Sequence, residues 1–306
     1  MKEIKECPVC SNNNFTPFFI CVDYSKSKEV FTIVSCETCG FKLTNPRPEV
    51  KDLGFYYESE NYISHSNKKT GWFNKLYQLI RKQTTRSKLR LIKNNKINQR
   101  HLDIGCGTGE FLHECKKSGL AVFGVEPSKK AREMAINNYN LDVKEDLIKN
   151  NFSEKFDSIS MWHVLEHIDN LEETVRLLSG MLSKNGRLVV AVPNHLSWDA
   201  KYYKEYWAAW DVPIHLWHFS EKTITALFKK HGFKKIKTKQ MFWDAYYVSL
   251  LSENYKKSKL CLIKAIVIGT LSNLFGIFSR NGCSSKIYIF ENQFKAFKGL
   301  SQPSLS

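Results

Sequence analysis

The 306-residue sequence predicts an α/β fold in which a mainly parallel sheet carries helices on both faces and follows a small N-terminal module. Short apolar segments alternate with helical segments between residues 101 and 192, which is typical of such a sheet. A glycine-rich turn follows the first of these segments, and four closely spaced cysteines set the N-terminal module apart. With 42% hydrophobic residues, the chain is too apolar to be mostly disordered.

The N-terminal cysteines are arranged as two CxxC pairs. They are Cys7, Cys10, Cys36 and Cys39. Two intervening residues let both thiolates of a pair face one ion, and two pairs complete a tetrahedral site. The pattern therefore predicts a zinc ribbon over residues 1–45, with a structural Zn²⁺ because four thiolates leave no open position. A redox pair or a disulfide is the alternative, but a redox CxxC is expected beside a βαβ unit and none adjoins these cysteines.

Residues 46–98 are predicted to form a linker that contains a basic amphipathic helix over 72–82. The formal charge of +16 is concentrated around this helix and in a later block. Residues 61–100 hold 11 basic and no acidic side chains, and residues 221–264 hold 11 basic and 3 acidic ones. The central residues 101–220 are slightly acidic, with 13 basic and 17 acidic side chains. The basic segments therefore fit an anionic membrane surface, although such a helix can also pack on its own domain.

The main domain is predicted from alternating elements. Strands are expected at 101–104, 121–125, 141–144, 157–161 and 187–192, with helices at 110–118, 128–138 and 171–182. Ligands bind beyond the carboxyl ends of the strands in such sheets. Polar residues that follow directly after a strand are therefore candidates for the site.

The glycine-rich turn after the first strand predicts a cofactor site. Gly105, Gly107 and Gly109 allow tight backbone turns and the close approach of a ligand. Glu126 ends the second strand, where an acid suits hydrogen bonding to ribose hydroxyls. A dinucleotide-binding turn would need a third glycine at the position of Glu110. Asp103 would also repel a pyrophosphate, so the pattern favours a cofactor that carries a cation.

These residues resemble the class I S-adenosylmethionine-dependent methyltransferases. The segment 102–109 resembles their first motif, Glu126 matches their ribose-binding acid, and Asp146 lies where the family often contacts adenine. Segments 156–162 and 182–193 resemble their fourth and fifth strands. The resemblance covers about residues 99–240 and implies a methyltransferase domain over 99–306. It also implies a last strand at 284–290, preceded by a mostly helical insertion over 241–282.

Three polar residues follow the fourth strand on a predicted helical turn: His163, Glu166 and His167. They could supply a general base for an acceptor hydroxyl or bind a divalent ion. Quinone-pathway O-methyltransferases look similar, with an acid at the position of His163. The alternative is that Glu166 and His167 only brace the helix.

Further catalytic candidates follow the fifth strand. His195 comes first, then an aromatic segment over 198–210, and then Asp211 and His215. Aromatic faces beside polar groups favour a sugar or ring substrate, although the segment could instead pack on the core. The preferred bases are His215 and His163, then His195, because a neutral imidazole can take a hydroxyl proton near pH 7.

The sequence thus predicts a methyltransferase that uses S-adenosylmethionine to methylate a small acceptor, with O-methylation of a sugar or cell-surface glycan intermediate preferred. The alternative is a quinone-like or lipid O-methyltransferase that contacts the membrane through the basic segments and the apolar stretch 260–278. The zinc-ribbon fusion also resembles deoxysugar C-methyltransferases. A nucleic-acid partner is not expected, because the crevice segment is acidic and no Asn-Pro-Pro-Tyr motif follows the fourth strand. No apolar leader segment opens the sequence, so a cytoplasmic location is expected.

Overall fold

The computed structural model describes residues 1–57, 83–93, 96–149, 152, 154–279 and 281–293. The strands, in chain order, are β1 (Phe15–Val22), β2 (Val30–Cys36), β3 (Lys42–Thr44), β4 (Arg100–Ile104), β5 (Ala121–Val125), β6 (Val143–Lys144), β7 (Phe156–Trp162), β8 (Leu182–Pro193), β9 (Trp217–His218), β10 (Phe233–Gln240) and β11 (Ser285–Asn292). The helices are α1 (Val50–Tyr57), α2 (83–92), α3 (Glu110–Lys117), α4 (Lys129–Tyr139), α5 (Leu171–Met181), α6 (Trp198–Tyr203), α7 (Glu221–Lys230), α8 (Phe242–Tyr255) and α9 (Cys261–Phe278). Short 3₁₀ turns cover Leu165–His167, Lys204–Tyr206 and Ala208–Trp210.

The main sheet has the strand order β10-β11-β8-β7-β4-β5-β6. Strands β4 to β8 pair in parallel, whereas β11 runs antiparallel to both β8 and β10. The centre of β8 is buried on both faces, as its continuous apolar run 188–192 predicts for a central strand. The predicted α/β fold is therefore confirmed, including the last strand and the helical insertion before it.

The insertion forms two helices, α8 and α9, which pack against each other between β10 and β11. The basic helix predicted at 72–82 lies outside the described residues.

A second sheet joins the N-terminal module to the main domain. Its order is β1-β2-β3-β9, and β9 comes from the segment after the aromatic run, far along the chain. Leu43 pairs with Trp217, and the Thr44 hydroxyl donates to the carbonyl of His215 at 2.8 Å. The sequence predicted strands at 18–22 and 30–34 but not the pairing of β3 with β9. Its consequence is that the module predicted as a zinc ribbon directly supports the segment that carries His215.

Candidate functional site

The glycine turn between β4 and α3 has a conformation that requires glycine. Gly105, Gly107 and Gly109 have φ values of +70°, +56° and +85°. A Cβ at Gly109 would lie 2.8 Å from the Cβ of Ala135, so α4 also approaches too closely for a side chain. Glu126, directly after β5, accepts the Gly107 N–H at 2.9 Å, which ties this turn to the end of the next strand.

Two acids, Glu126 and Asp146, lie at the same edge of the sheet. Glu126 accepts a second backbone N–H, from Ser128, at 2.9 Å. Asp146 follows β6, and its carboxylate accepts the N–H groups of Ile148 and Lys149 at 2.7 and 3.0 Å. The acids that the resemblance assigned to ribose and adenine therefore follow neighbouring strands, as a nucleoside-binding edge requires.

Asp103 lies inside β4 and is almost fully buried. Burial raises the pKa of Asp103 to about 7, against the opposing effects of a 2.5 Å hydrogen bond from Ser160 and the nearby charge of Lys88. Lys88, on α2, holds its ammonium 4.4 Å from the centre of the Trp162 ring. This corner therefore combines a buried acid and an aromatic face with one positively charged group, the Lys88 ammonium.

The turn after β7 contacts the glycine turn directly. A Cβ added at Gly105 would lie 2.4 Å from Cγ2 of Val164, so no side chain fits between the two turns. His163 has a left-handed backbone, with φ +57°, and its N–H donates to the Ala191 carbonyl at 3.0 Å. A non-glycine residue in this conformation is typical of functional sites. The structure therefore places the candidate acceptor turn against the candidate cofactor turn.

His163 is held between two carboxylates. Its Nε2 donates to Asp244 at 2.9 Å, and its Nδ1 donates to Glu166 at 3.2 Å. Burial alone lowers the pKa of His163, but the hydrogen bonds and charges of Asp244 and Glu166 outweigh it and raise the pKa to about 10. His163 is therefore an imidazolium at neutral pH with both ring nitrogens occupied, which is unfavourable for the general-base role predicted for it.

Glu166, His167 and His215 form a compact group in which the donor atoms lie within 4.8 Å of one another. The Nδ1 atoms of His167 and His215 donate to the carbonyls of Ile214 and Ala209 at 3.0 and 2.9 Å. In each neutral ring Nε2 is then the unprotonated nitrogen, whose lone pair can accept a proton or bind a metal. Burial lowers the pKa of His167 to about 4, and it also lowers the pKa of His215.

This group has the chemistry of a base or of a divalent-metal site. Glu166 is fully buried, and its Oε2 has no hydrogen-bond partner within the described part of the chain. His215 takes the place that the sequence interpretation gave to His163 in a metal-binding trio. Tyr57 reaches the same group, with its hydroxyl 3.1 Å from Nδ1 of His167.

Three of the six aromatic side chains of the segment 198–210 are buried. Tyr203, Trp207 and Trp210 are each about 98–99% buried, in a hydrophobic cluster that includes Phe31 and Ile33 of the N-terminal sheet. This part of the segment packs on the core, which was the alternative to a sugar-binding wall, whereas Tyr202 is 43% exposed.

His195 belongs to the same buried region. Its ring stacks on Trp210 with centroids 6.1 Å apart, and burial lowers its pKa to about 3. Its Nε2 has no hydrogen-bond partner among the described residues. His195 thus lies at the junction with the N-terminal module, and the structure does not bring it into the group of Glu166, His167 and His215.

The four N-terminal cysteines converge. Cys7 Sγ lies 3.6 Å from Cys39 Sγ, Cys10 Sγ lies 3.5 Å from Cys36 Sγ, and all four sulfurs lie within 4.8 Å of one another. Four thiolates at about 2.3 Å from a tetrahedral zinc would be about 3.8 Å apart. The cluster is therefore compatible with a zinc ribbon.

Two site residues escaped the sequence predictions of function: Lys88 and Asp244. Asp244 reaches His163 from α8, 81 residues along the chain, so no local spacing indicates it. Asp211 lies 3.8 Å from Nε2 of His215, and burial raises its pKa to about 7. The sequence interpretation had named Asp211 only as a polar group beside the aromatic segment.

Comparison with known proteins agrees with this geometry. Residues 76–238 match a family described as a methyltransferase domain. A ubiquinone biosynthesis O-methyltransferase from Pelagibacter ubique is 31% identical over 124 residues, which cover 38% of this chain and 49% of that protein. One from Actinobacillus pleuropneumoniae is 28% identical over 113 residues, covering 33% and 48%. The chain thus spans about half the length of these curated relatives.

Solved structures share the fold. Magnesium protoporphyrin IX methyltransferase from Synechocystis PCC 6803, with bound SAH, has a TM-score of 0.50 at 14% identity over 78% of this chain and 96% of that one. The phospholethanolamine N-methyltransferase 2 of Haemonchus contortus also has a TM-score of 0.50, at 17% identity, over 69% of this chain and 53% of that one.

Proposed function

Because this chain belongs to the methyltransferase-domain family of S-adenosylmethionine-dependent enzymes, we propose that it transfers a methyl group to a hydroxyl oxygen of a small acceptor. The observation that carries the proposal is the contact between two turns. The glycine turn, anchored by Glu126, packs on the turn that bears His163 and leads to Glu166 and His167. Cofactor and acceptor groups would meet there, and this proximity supplies most of the catalysis.

The cofactor half is assigned to the acids and glycines after β4, β5 and β6. S-adenosylmethionine, when bound, supplies an electrophilic methyl group on a sulfonium. Glu126 would bind the ribose hydroxyls, Asp146 the adenine edge, and Asp103 would favour the positively charged end of the cofactor. The backbone N–H groups of the glycine turn remain close to the ligand because no side chain intervenes.

His167 is the proposed base. Its Nδ1–H donates to a backbone carbonyl, which leaves Nε2 unprotonated, and its side chain is only partly buried. The neighbouring Glu166 carboxylate stabilises the imidazolium that forms when the acceptor gives up its proton. His215 supports the group from the segment that pairs with the N-terminal sheet.

A ring hydroxyl of a phenol or quinol is the preferred acceptor, because the similar curated proteins are named as ubiquinone O-methyltransferases. A sugar hydroxyl, which the aromatic segment first favoured, has lost support because Trp207 and Trp210 are buried. The reaction is assigned to the cytoplasm. Residues 1–45 are assigned as a zinc ribbon that holds a structural Zn²⁺, and residues 99–306 as the methyltransferase domain.

The test uses labelled S-adenosylmethionine with two acceptor panels, catechols and hydroxyquinols in one and nucleotide sugars in the other. We expect the labelled methyl group to be transferred to a hydroxyl oxygen of compounds in the first panel, which gives a labelled methyl ether. His167→Asn should lower kcat by about 10²-fold or more while the KM for S-adenosylmethionine stays unchanged. His113→Asn, on α3, is the matched control and should leave kcat unchanged. Transfer only to sugars would exclude the phenolic class, and an undiminished kcat in His167→Asn would exclude His167 as the base.

A further inference from the structure

The α9 helix inverts the usual pattern of a helix in a water-soluble domain. Eight of its large apolar side chains are 47–87% exposed: Leu262, Ile263, Ile266, Val267, Leu274, Phe275, Ile277 and Phe278. Only 33% of this 18-residue apolar helix is buried. Soluble proteins rarely leave a continuous apolar surface of this kind without a partner.

The buried face of α9 holds its small and polar residues instead. Gly269 packs so closely on α8 that a Cβ there would lie 2.7 Å from the Tyr246 ring. Ser272 donates to the buried carboxylate of Asp199 at 2.6 Å, and Asn273 donates to the Phe242 carbonyl at 2.9 Å. Small and polar residues inside, with large apolar residues outside, are the arrangement of a helix that faces lipid.

The α8 helix extends the same surface. Its exposed side chains include Phe242, Trp243 and Tyr247, at 44%, 47% and 53%. Tryptophan and tyrosine favour the boundary between lipid and water, where the ring lies among apolar groups and its polar atom reaches water.

The charges around this surface have one sign. Residues 242–278, which form α8, α9 and the loop between them, include four exposed lysines and two acids. Glu253 is buried and Asp244 is bound to His163, so the charge presented outward is positive. An anionic surface complements it, whereas a second copy of the chain would bring two lysine-rich surfaces together.

We propose that the outer face of α8 and α9 binds the surface of an anionic lipid bilayer, with its apolar side chains at the level of the headgroups and the first acyl carbons. Because Asp244 of α8 also contacts His163, this surface lies beside the candidate site. A membrane-dissolved acceptor could therefore approach the site along α8. That last step rests on the proposed function, whereas the binding surface does not.

Vesicle flotation of the full chain tests the proposal. We expect binding to vesicles of phosphatidylcholine with phosphatidylglycerol and much weaker binding to phosphatidylcholine alone. Ile263→Glu with Ile266→Glu should lower the partition coefficient at least about ten-fold. The matched control is Met134→Glu with Ile136→Glu, which changes two side chains of α4 that are 41% and 40% exposed and should leave binding unchanged.

A second variant measures the electrostatic contribution to membrane binding separately from the apolar one. Replacing Lys256, Lys257 and Lys259 by glutamine should weaken binding by about five-fold for each lysine on the anionic vesicles. S-adenosylmethionine binding, measured by calorimetry without vesicles, should be unchanged in all variants. Unchanged binding would show that the variants fold, and it makes a failure of membrane binding distinguishable from a failure of the proposed function. A wild-type chain that stays with neither vesicle type would overturn the proposal. A concentration-dependent dimer that α9 glutamates abolish, without vesicle binding, would assign the face to a second copy instead.

Discussion

Replacing Asp244 with Asn tests the charge arrangement at the centre of the candidate site. The wild-type carboxylate accepts a 2.9 Å hydrogen bond from Nε2 of His163, and Asn is isosteric but uncharged. A hydrogen bond between charged partners contributes about 1.5–3 kcal/mol. Since 34% of the His163 side chain is exposed, solvent screening favours the lower end of that range. We therefore expect the pKa of His163 to fall by about one unit from its value near 10.

The assay is an NMR titration of the His163 ring protons in the wild type and the variant. Asp142→Asn, which removes an exposed acid of the loop before β6, is the control and should leave that pKa unchanged. Stability gives a second readout. A raised histidine pKa stabilises the fold fully below the ordinary value of 6.5, and this contribution is lost as the pH rises through about 10. The variant should therefore lose about 1.5 kcal/mol of unfolding free energy at pH 6 and little near pH 10. An unchanged His163 pKa in Asp244→Asn would refute the assigned pairing.

Two further predictions address the ribbon and the glycine turn. Metal analysis should find one Zn²⁺ per chain in the wild type and none in the double variant Cys7→Ser with Cys10→Ser. The double variant should have a lower Tm but should still bind S-adenosylmethionine measurably. A wild type that is stable without metal would contradict the assignment of a zinc ribbon. Gly105→Ala should destabilise the fold by about 2 kcal/mol or more and abolish S-adenosylmethionine binding, because φ is +70° and Val164 blocks the Cβ. Gly180→Ala changes an open position in α5 and should instead stabilise the fold by about 0.5–1 kcal/mol. Equal unfolding midpoints for Gly105→Ala and Gly180→Ala would show that Gly105 does not need to be glycine.

Features encoded by nearby residues were predictable from the sequence. The alternation of strands and helices, the left-handed glycines of the turn and Glu126 at the end of β5 all depend on short-range patterns. The fold was confirmed for this reason. The two CxxC pairs likewise converge, with Cys7 Sγ 3.6 Å from Cys39 Sγ, because the antiparallel hairpin of β1 and β2 lies between them.

Features that depend on contacts between distant segments were not predictable. β9 has two residues, and its pairing with β3 joins segments about 175 residues apart, so no periodicity reveals it. That docking also buries Trp207 and Trp210, which the sequence alone could present equally well as a substrate wall or as core. Likewise, His163 is a plausible neutral base until Asp244 is placed beside it.

The structure shows where part of the excess positive charge of the chain lies. The helix predicted at 72–82 lies outside the described residues, but the block around α8 and α9 combines lysines with exposed apolar side chains. The charge pattern alone could not predict this surface. That the large apolar side chains of α9 are exposed can be seen only when its buried face is known.

Calorimetric binding of S-adenosylmethionine to the purified chain tests the central claim most directly. We predict binding by the wild type and a loss of at least about ten-fold in affinity for Glu126→Ala, because this change removes the carboxylate that anchors Gly107 and that we assign to the ribose. Asp103→Ala should weaken binding as well. Glu133→Ala, at an exposed position of α4, should bind like the wild type. Wild-type affinity in both Glu126→Ala and Asp103→Ala, or no binding by the wild type, would contradict the assignment of this edge of the sheet to the cofactor.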